Sequence, residues 1–98
     1  MRRTNTQAIA DLLKDFMSEN PQLTVKLAET RLIQAWGELL GPMISRYTTN
    51  MYVTKKTLHV QISSAVLRHE LMLCREKLIR DLNERAGMPV INDIILLG

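Results

Sequence analysis

Apolar and polar residues change their period once along this chain, and the change marks a strand running into a helix. Leu58, Val60 and Ile62 alternate with Thr57, His59 and Gln61, which predicts a strand with one buried face. From Leu67 the apolar positions fall at Leu71, Cys74, Leu78 and Leu82, a single helical stripe. The spacing predicts one long helix over about Ser64–Ala86, capped by Ser63 or Ser64 and ended at Gly87, with Pro89 just beyond. On that stripe Cys74 reads as a small apolar core residue.

Upstream, a first helix is expected over about Thr6–Glu19, with Ile9, Leu12, Leu13 and Phe16 on its inner face. Asn20-Pro21 ends it, because the residue before proline is pushed away from helical geometry. A second helix follows from about Thr24 to Leu40, with the stripe Ala28, Leu32, Ala35/Trp36 and Leu39, and Gly41-Pro42 terminates it. Trp36, the sole tryptophan, reads as the residue that locks this helix onto the sheet. Met43–Val53 carries a weaker strand signal in Tyr47, Met51, Val53 and the threonines 48 and 49. Lys55-Lys56 is the hairpin turn; without Asn-Gly or Gly-Gly, its loop length stays open. Val90–Leu97 is long and apolar enough for a third strand.

The order is therefore ααββαβ, an α+β fold with a three-stranded mixed sheet and helices mainly on one face. The second and third strands, joined by the long helix, are parallel neighbours or flank a strand between them, through a right-handed crossover. Ninety-eight residues suit one small domain with one core. With 46% hydrophobic and 23% charged residues, the chain is a globular one. A single cysteine excludes an intrachain disulfide and fits a reducing compartment. No apolar run reaches a membrane span, and the start has two arginines but no small-residue cleavage site, so a cytoplasmic protein without membrane contact is expected.

Charge narrows the function further. The net charge is +3, and the excess lies in residues 43–98, with eight basic and five acidic side chains against five of each in residues 1–42. Such an excess permits nucleic-acid contact without requiring it. The candidates are Arg46, Lys55 and Lys56 around the hairpin, with Arg2 and Arg3 at the amino terminus. A solubilising turn, or charges that guard a strand edge, would account for the same lysines. Aromatic stacking has little to draw on, since only Tyr52 is expected to be exposed on a strand.

Enzymatic chemistry finds no foothold. His59 and His69 fall on different elements, and with one cysteine they make no metal set of recognisable spacing. Glu70, Glu76, Asp81 and Glu84 are interspersed with Arg68, Arg75, Lys77, Arg80 and Arg85, the pattern of a solvated, ion-paired helix face. There is no phosphate loop, nucleophile elbow or dinucleotide fingerprint. Neither a catalytic residue nor a cofactor is expected.

The order of several short motifs adds a resemblance. Trp36-Gly-Glu-Leu-Leu-Gly41, Tyr47-Thr48, Leu58-His-Val-Gln-Ile-Ser-Ser-Ala65, Glu70-Leu71, Leu82-Asn83 and the closing Asn92-Asp93-Ile94 with Gly98 together resemble the DciA family over about residues 24–98. The resemblance implies a KH-like domain over residues 1–98, with residues 1–23 supplying an added amino-terminal helix. It also implies a part in bacterial chromosome replication, binding DNA and recruiting or loading the replicative helicase. Three departures bear on this. The chain has no Gly-x-x-Gly clamp, only Gly37-Glu-Leu-Leu-Gly41, so the usual KH grip is not expected. Val66 and Leu67 stand where the family has an aromatic. Many members carry a basic tail beyond the domain, whereas the sequence stops at Gly98, so tail-dependent steps stay open.

The expected function is a non-enzymatic binding module of DNA replication whose partners are the replicative helicase and DNA. The alternatives are a protein-interaction or self-association module, homodimeric through the Val90–Leu97 edge, and a general RNA-binding domain.

Overall fold

The computed structural model describes the backbone of residues 2–98 and the side chains of residues 7–98. The chain order is α1 (Arg2–Glu19), α2 (Pro21–Tyr47), β1 (Thr48–Thr54), β2 (Thr57–Ile62), α3 (Ala65–Leu73), α4 (Arg75–Ala86) and β3 (Asp93–Leu97). The sheet runs β1-β2-β3, with β1 antiparallel and β3 parallel to β2. This is the expected α+β arrangement, with the second and third strands as direct neighbours and the third helix divided in two.

Alternation in β2 sets the layers. Leu58, Val60 and Ile62 are fully buried, and their cross-strand partners Val53 and Met51 on β1 and Ile94 and Leu96 on β3 share the same face. Against that face lie Ala28, Leu32, Ala35 and Trp36 of α2, Leu71 of α3, and Leu78, Leu82 and Ala86 of α4, all in one core cluster. The expected stripes of the second and third helices are thus the core, with one exception.

That exception is Cys74, which is exposed and not part of the core. It sits between α3 and α4 at φ −102°, ψ 10°, with its N–H turned to the Leu71 and Met72 carbonyls. The helix divides where its packing partner changes. α3 covers β2 and β3, whereas α4 packs mainly on α2. The apolar stripe loses phase at the junction and resumes at Leu78.

Helix α2 also departs from expectation at its end. Gly41 does interrupt it, at φ 86° and ψ 175°, a conformation that favours glycine. Helical geometry then resumes after Pro42, which suits the first turn of a helix because it lacks an N–H. Tyr47 is therefore the last residue of α2, not a strand residue, and β1 begins at Thr48. At its start α2 takes Pro21 into its first turn, three residues earlier than Thr24.

α1 is formed and ends at Glu19, but its apolar face is not an inner one. Ile9, Leu12, Leu13 and Phe16 are 58%, 68%, 53% and 54% exposed, and no described residue of α1 joins the core cluster. The Asn20-Pro21 corner accounts for this. Asn20 Nδ2 donates to the Phe16 carbonyl at 2.7 Å, and Thr24 Oγ1 to the Met17 carbonyl at 3.5 Å, so α1 meets α2 around the turn.

The loop before β3 is tied down by one side chain. Asn83 Oδ1 accepts from the Val90 and Ile91 N–H groups, both at 3.0 Å, while its Nδ2 donates to the Ile91 carbonyl at 2.8 Å. Val90 and Ile91 are thereby held in the core outside any strand. β3 is accordingly the shorter segment Asp93–Leu97.

Candidate nucleic-acid interface

Lys55 and Lys56 form a two-residue hairpin turn, with Thr54 paired to Thr57 across it. Both lysines have positive φ, 49° and 60°. A left-handed pair is what the right-handed twist of a two-residue hairpin demands, and Asn-Gly meets it with least strain. Lysine in that region is strained by about 1 kcal/mol per residue. Both side chains are exposed, and among the described residues no carboxylate lies within ion-pairing distance of either. The turn is docked by its backbone, since the Asn92 N–H donates to the Lys56 carbonyl at 2.8 Å.

Arg46 lies elsewhere. It is exposed in the last turn of α2, where a cation is favoured by the helix dipole, at the opposite end of β1 from the turn. β1 has seven residues, and at roughly 3.3 Å per residue the strand separates Arg46 from the lysines by about 20 Å. The structure thus does not gather the three cations; it sets them at the two ends of the hairpin. Arg2 and Arg3 fall in α1, and their side chains lie outside the described residues.

Among the described residues, five other cations are engaged. Lys77 pairs with Asp81 at 2.7 Å, Arg75 with Asp93 at 3.2 Å, Lys26 with Glu29 at 3.6 Å and Arg85 with Glu38 at 3.7 Å. Arg68 Nη1 donates to the Ile62 carbonyl. Within the long helical region the interspersed charges thus make one ion pair among the described residues, Lys77–Asp81, while Arg75 and Arg85 reach instead to Asp93 of β3 and Glu38 of α2.

Between the two ends of the hairpin lies the uncovered face of the sheet. The register puts Tyr52 opposite His59 and His59 opposite Ile95. The Tyr52 and His59 rings stack with centroids 4.6 Å apart and planes 8° apart, and Thr54 Oγ1 lies 3.1 Å from His59 Nε2. Sequence reasoning identified exposed Tyr52 but missed this pair. The signal was available, because a two-residue turn at Lys55-Lys56 counts back to Tyr52 opposite His59. His69 is exposed on α3, whose partner face of the sheet is the other one. Among the described residues there is no group of three side chains able to hold a metal ion.

A family model described as Dna[CI] antecedent, DciA, matches residues 8–96, nearly the whole chain. The chain belongs to the DciA family. Membership associates it with helicase loading in DNA replication, the work of a loader and not of a known enzyme family. No protein of curated function matches the chain. The DciA match takes in most of α1, both hairpin lysines, the Tyr52–His59 pair and the Asn83 latch. Among the described residues, no helix is long and apolar enough to cross a membrane.

Proposed function

We propose that this chain is a non-enzymatic binding module of bacterial DNA replication that contacts the replicative helicase and DNA. The observation that carries this reading is the DciA family match over residues 8–96. We read residues 1–98 as one KH-like unit with α1 as an added amino-terminal helix. Its mode of action is rigid presentation, in which the core holds the hairpin and its lysines at a constant position.

The turn supports the DNA contact. Lys55 and Lys56 occupy left-handed positions at which Asn and Gly would be less strained. Strain of this kind gathers where side-chain identity matters more than stability. Two exposed ammonium groups at a hairpin tip reach phosphate oxygens with little desolvation. Arg46, about a strand length away, would neutralise a separate phosphate, while Arg2 and Arg3 stay candidates by sequence alone.

The decisive experiment is co-purification of the intact chain with the replicative helicase of its own source. Retention of the helicase supports the reading, and its absence at micromolar concentrations of both overturns the helicase contact.

A second reading rests on a different observation. The exposed stripe Ile9, Leu12, Leu13 and Phe16 on α1 favours a protein-interaction or self-association module without nucleic-acid binding. Mass measured by light scattering across a concentration series discriminates. A dimer that binds no DNA at low salt would replace the first reading with this one.

A further inference from the structure

We propose that the uncovered face of the sheet is a base-stacking platform for single-stranded nucleic acid, centred on the Tyr52–His59 pair. The proposal rests on the DNA contact argued above and adds to it a surface that handles bases instead of phosphates.

Three observations converge on this face. First, it is open, since α2, α3 and α4 all bury their apolar stripes against the Leu58–Val60–Ile62 side. Its outward row Tyr52–His59–Ile95 and the neighbouring Leu97 leave apolar surface in solvent, with Tyr52 43% exposed and Ile95 and Leu97 each 39% exposed. Second, its rings are ordered. Tyr52 and His59 lie face to face at 4.6 Å, and Thr54 Oγ1 sits 3.1 Å from the imidazole Nε2. β1 is an edge strand, so the Tyr52 ring face turned away from His59 meets no further strand. A nucleobase placed there extends an existing stack, an interaction tolerant of sequence because every base has a π face.

Third, the charge around the face selects the ligand. Its carboxylate, Asp93, is already engaged by Arg75 at 3.2 Å and by the Ile94 N–H at 2.8 Å. Among the described residues Lys55 and Lys56 have no ion-pair partner at one end, and Arg46 stands beyond the other. A strand of bases crossing the rings would thus carry its phosphates toward cations at both ends. Gln61 Nε2 donates to the Gly98 carbonyl at 3.2 Å, which leaves its amide oxygen, and the exposed Asn50 amide beside it, to meet base edges. A duplex can offer its phosphates to the lysines but no free base face to the rings, because its bases already stack on one another. A second copy of the same face would bring two lysine pairs to the interface without a free carboxylate to meet them.

The test is fluorescence anisotropy of a dye-labelled oligodeoxythymidine with the full chain, over a salt series. Tyr52→Ala is expected to weaken binding about fivefold to a hundredfold, the loss of one stacked base, while the slope against log salt stays unchanged. Tyr52→Phe restores affinity, and a duplex of equal length competes poorly. Because Tyr52 is exposed, the variant keeps its fold, checked by the emission of buried Trp36. Wild-type affinity in Tyr52→Ala, or equal competition by duplex, overturns the platform. If removing both lysine charges abolishes binding while Tyr52→Ala does not, the platform falls and the phosphate contact stands. If the wild-type chain binds no DNA, both fall.

Discussion

The indole N–H of Trp36 donates to the Thr48 hydroxyl at 3.1 Å, and that hydroxyl donates onward to the Ile44 carbonyl at 2.8 Å. Trp36 is only 1% exposed, so its one polar atom depends on this acceptor. The relay joins the middle of α2, its last turn and the first residue of β1. It fixes where the chain leaves the helix layer and enters the sheet.

Replacing the relay hydroxyl is therefore expected to be costly out of proportion to its size. Thr48→Val keeps the shape but leaves the indole N–H without an acceptor, a loss of about 1–3 kcal/mol. Thr48→Ser retains the oxygen and should stay within about 1 kcal/mol of wild type. Urea unfolding followed by Trp36 emission measures both. Equal midpoints for the two variants would show that the hydroxyl contributes nothing.

The hairpin turn predicts a trade between stability and binding. Lys55→Asn with Lys56→Gly relieves two left-handed lysines, so the double variant should be more stable by about 1–3 kcal/mol. The same change removes two phosphate contacts and should lower the salt slope of DNA binding by about 2. Since the variant is expected to be the more stable one, weaker binding cannot be assigned to unfolding. Thermal melting and anisotropy on one sample test both halves.

Asn83 predicts a local opening. Asn83→Ala removes one acceptor shared by two amides and one donor, which should destabilise the chain by about 2–3 kcal/mol. Amide exchange at Val90 and Ile91 should accelerate more than exchange in β2. Uniform acceleration across the sheet would mean that the latch acts on global stability alone.

α1 predicts insensitivity. Leu12→Lys and Phe16→Lys act on side chains already in solvent, so each should change stability by less than about 0.5 kcal/mol. Leu32→Ala, at a fully buried position of α2, should cost about 2–5 kcal/mol. A loss of self-association or of helicase retention in the α1 variants, at unchanged melting temperature, would assign that face to a partner.

How far the candidate site could be read beforehand differs from residue to residue. The lysine pair was legible as a turn because charged residues stood between two alternating runs. The backbone conformation was not, because lysine gives no sign of a left-handed region that it seldom occupies. Arg46 was read as part of a Met43–Val53 strand, whereas the structure puts it in the last turn of α2, before β1 begins at Thr48. Tyr52 was visible alone, whereas its stack with His59 needed the register.

Periodicity alone determined the α+β class, the stripe of α2, the buried face of β2 and the stop at Gly87, because each follows from spacing along a single element. Tertiary structure decided what those elements turned toward. It left Ile9, Leu12, Leu13 and Phe16 in solvent, since an amphipathic pattern records that a helix has an apolar face and not that the same chain covers it. It broke the third helix at Cys74, because one half had to lie on the sheet and the other on α2. Burial is a property of two surfaces, and the order of residues along a chain describes only one of them at a time.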